Sequence, residues 1–535
     1  MEPESYPSLV TRRRFVRQAA CAALGAGALK NIIHDLRLMN AVMAQTYTSD
    51  YKALVCIFLS GGNDGNNMII PTIASEYGNY AAIRTPVLAI PQASILPISP
   101  INSDGHTYGF HPSFSHMQTL FGEAKAATVF NVGNLAYPIT RAQYTANPRV
   151  VGIPLQLFSH SDQVTQWQTS IADRASTNGW GGRIADLLDS SYNGAAGQVS
   201  LTVSTAGANT FEIGNVVTQY SVSTAGAVNP TLPTSGTSTS PDYFGSGTTS
   251  PRKSALLGLT AAASATNQPD LQVREYAKVL NESISLSTAL NSAIAPYTDP
   301  TDASYTNQSN AAPWRWNNEL AGIYKTTVQP SGLGGFPNTT LGLQLKMIAR
   351  LIAGRAALGM RRQIFFCSVG GYDTHTNQTD FGATNPALGV NTGSQASLLA
   401  EVDQCVLAFQ RAMEQLKGGS NWTGEAATSG VTVFTASDFG RTLPSNGQGS
   451  DHGWGSHHLV IGDAVDGKKT FGKFPTLAVN GPDDTSTGRW IPTMAVDQYA
   501  AALATWFGVS AGNLATVFPN LPRFATPPSL FKPGT

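Results

Sequence analysis

The sequence predicts an α/β fold: a mainly parallel β-sheet with helices on both faces. Four short apolar runs are continuous rather than alternating, the pattern of strands covered on both sides. Each run breaks off into a loop rich in Gly, Asp or Asn, and stretches of helical periodicity lie between the runs. With 535 residues and 42% hydrophobic composition, the chain can bury a large core. Its 52 Gly and 31 Pro favour a loop-rich architecture over a helical bundle.

Residues 1–44 read as an export signal. Arg12-Arg13-Arg14-Phe15 forms a basic start, Gln18 to Leu29 is weakly apolar and rich in Ala and Gly, and Val42-Met43-Ala44 supplies small residues before Gln45. The arginine pair followed by Phe15 resembles a twin-arginine signal. The expectation is a periplasmic or secreted protein that meets the twin-arginine translocase during export and folds before crossing. Residues 45–535 then form a single domain. No apolar run reaches the ~20 residues of a membrane span, so no stable membrane anchor is expected.

The first strand, Ala53–Leu59, runs into Ser60-Gly61-Gly62-Asn63-Asp64-Gly65. The second, Thr128–Val132, ends at Gly133-Asn134. Residues 205–252 are rich in Ser, Thr, Gly, Ala and Pro, and read as a flexible low-complexity insertion. Helical patterning returns from Leu271 to Ala293, and Leu341, Leu345, Ile348 and Leu351 make an apolar stripe. The third strand, Gln363–Val369, ends at Asp373-Thr374-His375. A helix bearing Leu398, Val402, Cys405, Phe409, Met413 and Leu416 closes at Gly418-Gly419. The fourth strand, Val431–Thr435, ends at Ser437-Asp438-Phe439-Gly440-Arg441. Cys56, Cys367 and Cys405 fall in apolar settings and read as small core residues rather than disulfide partners.

Equal numbers of basic and acidic residues, 33 each, exclude a sequence-independent nucleic-acid binder. Ligands of such sheets sit beyond the carboxyl ends of the strands. Asp64, Asp373 and Asp438 all arrive there, and gathering them costs several kcal/mol unless a cation compensates. His375 lies beside Asp373, and Asp451-His452-Gly-Trp-Gly-Ser-His457-His458 adds imidazoles. Carboxylates and imidazoles suit a divalent metal, zinc or manganese first and calcium or magnesium as alternatives. His457 and His458 are neighbours whose side chains point apart, so only one of them can serve; His457 joins the set of Asp64, Asp373, His375, Asp438 and His452. Arg441 is placed to bind an oxyanion, with Arg141 as a second candidate. Ser159 is the candidate nucleophile with Thr140 as the alternative, and His160 beside Ser159 is a further candidate catalytic residue.

These motifs resemble the DUF1501 family. The likeness runs through nearly the whole chain after residue 44: Gly61-Gly-Asn-Asp-Gly65, His111-Pro112, Ser159-His160 with Gln166-Trp167, Gly179-Trp180, Gly182-Arg183, Gly371-Tyr-Asp-Thr-His375, Ser437-Asp-Phe-Gly-Arg441 and Asp451–His458. That family is similar to the alkaline phosphatase and sulfatase superfamily. The resemblance implies an alkaline-phosphatase-like three-layer sandwich and an exported hydrolase of phosphate or sulfate esters, on a small molecule or a polysaccharide. It matches Asp64 and Asp438 to metal ligands, but Phe439 stands where the superfamily motif has a metal histidine. No Cys-x-Pro-x-Arg nucleophile motif is present. The alternative is a non-catalytic exported binding or assembly protein on a degenerate scaffold.

Overall fold

The chain is represented by a computed structural model, which describes residues 50–149, 151–194, 197–227, 271–294, 336–380, 393–418 and 429–535, with positions 255 and 258. The signal-like segment 1–44 and residues 228–252 of the Ser/Thr-rich stretch lie outside the described residues.

The strands are β1 (Lys52–Leu59), β2 (Ile69–Pro71), β3 (Leu96–Ile98), β4 (Tyr108–Phe110), β5 (Ala126–Gly133), β6 (Thr202–Ser204), β7 (Tyr220–Ser221), β8 (Arg362–Val369), β9 (Gly430–Ser437), β10 (Ser456–Ile461), β11 (Thr470–Phe471) and β12 (Met494–Ala495). Among the described residues, nine form one sheet in the order β11-β5-β10-β9-β1-β8-β6-β7, with β12 also on β5. The small sheet β2-β4-β3 stands apart. All pairings in the large sheet are parallel except those of β10, which runs against β5 and β9. The four apolar runs are β1, β5, β8 and β9, and every residue of β1, β5 and β9 is buried.

Helices cover both faces. Ala53, Val55 and Ile57 of β1 and Phe365 of β8 share a core with Met117, Leu345, Ile348, Val402 and Phe409. These come from helices Ser115–Gly122, Thr340–Ala353 and Ser394–Gly418. On the opposite face, Phe434 of β9 meets the ring of Trp180 at 5.6 Å and that of Tyr499 at 6.2 Å. Burying one such side chain is worth roughly 1.5–3 kcal/mol. The predicted helix over 271–293 is Leu271–Ile294. Cys56, Cys367 and Cys405 are free and buried, as expected of core residues. No described helix is long and apolar enough to cross a membrane.

Residues 205–227, the described part of the Ser/Thr-rich stretch, are tied to the rest of the chain by distant side chains. The Asp186 carboxylate accepts from the backbone N–H groups of Asn215, Val216 and Val217 at 2.6, 3.0 and 2.8 Å. The side-chain oxygen of Gln168 accepts from Thr210 and Phe211. Phe211 is buried against Trp180, at 4.6 Å between rings. A polar segment needs little apolar burial when distant side chains satisfy its backbone.

Candidate metal centre

The site forms where strands end. Asp373 and His375 follow β8, and Asp438 and Arg441 follow β9. β10 is antiparallel, so the residues that precede it, His452 among them, reach the same edge. His160 opens the helix His160–Thr169, which follows β5 in the chain and packs against β9.

Three imidazoles surround one carboxylate oxygen. Oδ1 of Asp373 lies 3.6 Å from His160 Nε2, 3.3 Å from His375 Nε2 and 3.5 Å from His452 Nε2. One ligand atom each from His160, Asp373 and His452 lies within 4.8 Å of the others. Every Nδ1 faces an atom that only accepts. His160 donates to Asp438 Oδ2 at 2.7 Å, His375 to Asp451 Oδ1 at 3.0 Å, and His452 to the Phe158 carbonyl at 2.8 Å. The neutral rings therefore carry their protons outward and turn Nε2 lone pairs inward. His160 Nε2 and His452 Nε2 stand 3.0 Å apart, a contact between two acceptors that a shared proton or a cation relieves. Outward Nδ1–H bonds to carboxylate or carbonyl are the usual support of metal-bound histidine.

Arg441 closes the site. Its side chain is buried, and Nη2 donates to Asp373 Oδ1 at 3.0 Å. Nε and Nη1 are buried and have no hydrogen-bond partner among the described residues. Burial opposes charge on Asp373, but Arg441, His160 and His375 outweigh it and hold its pKa below the usual range. Burial lowers the pKa of His452, and His160, Arg441 and His375 add to that effect against the pull of the Phe158 carbonyl. The side chains of His452, His160, His375 and Asp373 are 23, 35, 40 and 49% exposed, so the centre opens to solvent.

Other expected site residues lie elsewhere or act differently. Asp64 is buried, and the bonds of its carboxylate go to partners other than the imidazoles. Its Oδ2 pairs with Arg84 and accepts from Gln378 at 2.6 Å, and its Oδ1 caps a short helix through Asn66 N. Asp438 does not reach the imidazole Nε2 atoms; it accepts from Gly61 N through Oδ1 and orients His160 through Oδ2. His457 is a core residue. It stacks on Phe474 at 4.8 Å and accepts from Asn131 N, and burial brings its pKa down to about 3. Strand alternation sends His458 to the other face, against Trp167 and Tyr499. Ser159 donates to Asp162 at 2.6 Å, away from the imidazoles. Thr140 caps the helix Arg141–Thr145, and Arg141 bonds Asn480. The ring of Phe439 packs on His160 and His452 at 4.8 and 4.7 Å. Sequence reasoning missed Arg84, which carries no motif, and the Phe158 carbonyl, which has no side-chain signature.

Gly61 joins the three strand ends. Its φ is +116°, and a Cβ there would collide with the backbone nitrogen of Asp373. Gly61→Ala removes no ligand, yet it is expected to displace Asp373 and to cost about 1 kcal/mol or more of stability. Metal affinity measured alongside a denaturant midpoint checks this, and unchanged affinity would contradict the coupling.

Fold and site together define a mixed α/β protein with a large, mostly parallel sheet and a His/Asp cluster at its carboxyl edge. The chain belongs to the DUF1501 family. The family model, described as "Protein of unknown function (DUF1501)", matches residues 51–489. A comparison with curated proteins finds no match.

Proposed function

We propose that this chain is an exported, metal-dependent hydrolase of phosphate or sulfate esters, built on a variant of the alkaline-phosphatase-like scaffold. The observation that carries the reading is the convergence of three inward-facing imidazole nitrogens on Asp373, next to a buried arginine with unpaired donors. The donor set fits a cation: His160, His375, His452 and Asp373 would hold it, and three nitrogens with one oxygen suit zinc or manganese better than calcium or magnesium. A cation held there supplies Lewis acidity toward the ester and toward attacking water. Arg441, whose Nη2 reaches the cluster at Asp373, sets a fixed positive charge beside the oxyanion as charge builds on it. Asp438, Asp451 and the Phe158 carbonyl keep the imidazoles in one tautomer and orientation. Ser159 is held by Asp162, so water is the better candidate for the attacking group.

The set differs from the one the superfamily likeness implies. Arg84 neutralises Asp64, and Phe439 fills the place of a histidine, which supports a single cation rather than two. The same two features favour the second reading, a binding or assembly protein that has lost its catalysis.

Metal analysis and an ester screen test the proposal. The purified chain is expected to retain zinc or manganese and to turn over 4-nitrophenyl phosphate or 4-nitrophenyl sulfate. Asp438→Asn, which weakens the support of His160, is expected to lower metal affinity ~10–100-fold. No bound metal and no turnover after adding zinc or manganese would end the hydrolase reading. Metal retained without turnover would favour the binding protein.

A further inference from the structure

We infer that Arg489 is a positioning residue of the metal centre: it clasps the loop before His160 to the segment that carries His452, and so fixes two of the proposed ligands against each other. This rests on the metal-centre reading above.

Three contacts close a ring. Arg489 Nε donates to the main-chain carbonyl of His452 at 2.7 Å. The guanidinium of Arg489 lies over the ring of Phe158, at 4.3 Å from its centroid. The Phe158 carbonyl in turn accepts from His452 Nδ1 at 2.8 Å. One side chain thus touches both partners of the bond that sets the tautomer and plane of the His452 imidazole. Phe158 also stands two positions before His160, so the same contact steadies the entry to the His160 helix.

The Phe158 loop has a conformation that calls for such a hold. Phe158 has φ +75° and Gln156 has φ +47°, a left-handed backbone that residues with a Cβ seldom adopt. Conformations of this kind persist where their surroundings over-determine them. Arg489 can supply that constraint because its own main chain is anchored. Its carbonyl accepts from Thr485 N at 3.0 Å, and Gly488 N beside it donates to the buried Asp484 carboxylate at 2.8 Å. The next carbonyl, that of Trp490, accepts from Gly455 N at 2.9 Å, which braces the His452 segment a second time. A planar guanidinium can stack on a ring and still donate within its own plane, a combination that a lysine ammonium does not offer.

Zinc calorimetry on the full chain, with the visible spectrum of the cobalt-loaded protein, tests this. Arg489→Ala is expected to weaken zinc binding about tenfold and to shift the cobalt ligand-field bands, since the His452 plane is released. Phe158→Ala keeps the carbonyl but removes the ring, and is expected to act in the same direction. The double variant should lose hardly more than either single one, the mark of a shared contact. Arg523→Ala is the control. It removes a guanidinium that lies over Tyr137 at 4.3 Å and bonds Ala136 and Asp173, and it should leave zinc affinity and spectrum unchanged. If Arg489→Ala does not fold, Arg489→Lys, which keeps a donor for His452 without the stack, is read against the same expectations. Unchanged affinity and spectrum in the Arg489 variant, losses that simply add in the double variant, or an equal loss in Arg523→Ala overturn the positioning role and leave the metal-centre reading standing. If the unaltered chain binds neither zinc nor cobalt, both fall.

Discussion

Glu212→Gln is expected to stabilise the protein by roughly 4 kcal/mol near pH 7.5 and hardly at all near pH 4. Glu212 is fully buried. Burial pushes its carboxyl up to about 8, against hydrogen bonds from the Asn209 side chain and the Val203 backbone. Oε1 has no partner. The folded value lies above the unfolded one of 4.5, so the stability this group contributes is fully present below pH 4.5 and is lost as pH rises toward 8. Near pH 7.5 the fold must hold a proton that the unfolded chain releases, at a cost of about 1.4 kcal/mol for each of about three pH units. Glutamine keeps the shape and needs no such proton. Denaturant titrations of both proteins at the two pH values check this. A variant that gains nothing at the higher pH would show that water reaches the carboxyl. The effect also bears on residues 205–227, because Glu212 anchors that segment through Asn209.

Asp64→Ala is expected to cost about 3–5 kcal/mol, because it leaves the Arg84 guanidinium buried without its counter-charge. Both side chains are fully buried. Arg84 Nη1 also donates to the Leu443 carbonyl at 3.1 Å, so it cannot swing out without breaking a second contact. Replacing both partners by apolar residues, Asp64→Leu with Arg84→Met, should recover much of the loss and give a strongly non-additive cycle. Asp64→Asn retains most of the shape and the bond from Gln378. Since Asp64 lies outside the imidazole cluster, this variant is expected to bind zinc or manganese as tightly as the unaltered chain on the proposal of a metal centre there. A folded Asp64→Asn protein without metal would return Asp64 to the ligand set.

The central strands were legible because burial on both faces leaves an unbroken apolar run, as in β1 and β9. β6, β7, β11 and β12 have only two or three residues each, too few to show a period. Asp373, His375, His452 and Arg441 were legible as a group because short Gly-rich loops after strands carried them. Their roles were less so. His452 reaches the site only because β10 runs backwards, a fact of pairing that local sequence does not encode. His457 sits in the same dense motif, but one step along a buried strand turns it into the core. His160 was read as catalytic beside Ser159, and the outward bond to Asp438 places it instead among the inward-facing imidazoles. Asp64 looked like a ligand because it ends the first strand. The guanidinium that claims it comes from a helix with no distinguishing pattern.

The parallel pairing of β1 with β8 has a kinetic consequence. The Sγ of Cys367 meets the carbonyl of Cys56 across that seam, 311 positions apart along the chain. Closing so long a loop carries a large entropic toll, and contacts this distant slow the search for the native state. During synthesis, β1 emerges early and waits with both edges bare until more than half of the polypeptide has followed. Until β8 and β9 follow, β1 is an unpaired apolar strand open to non-native association.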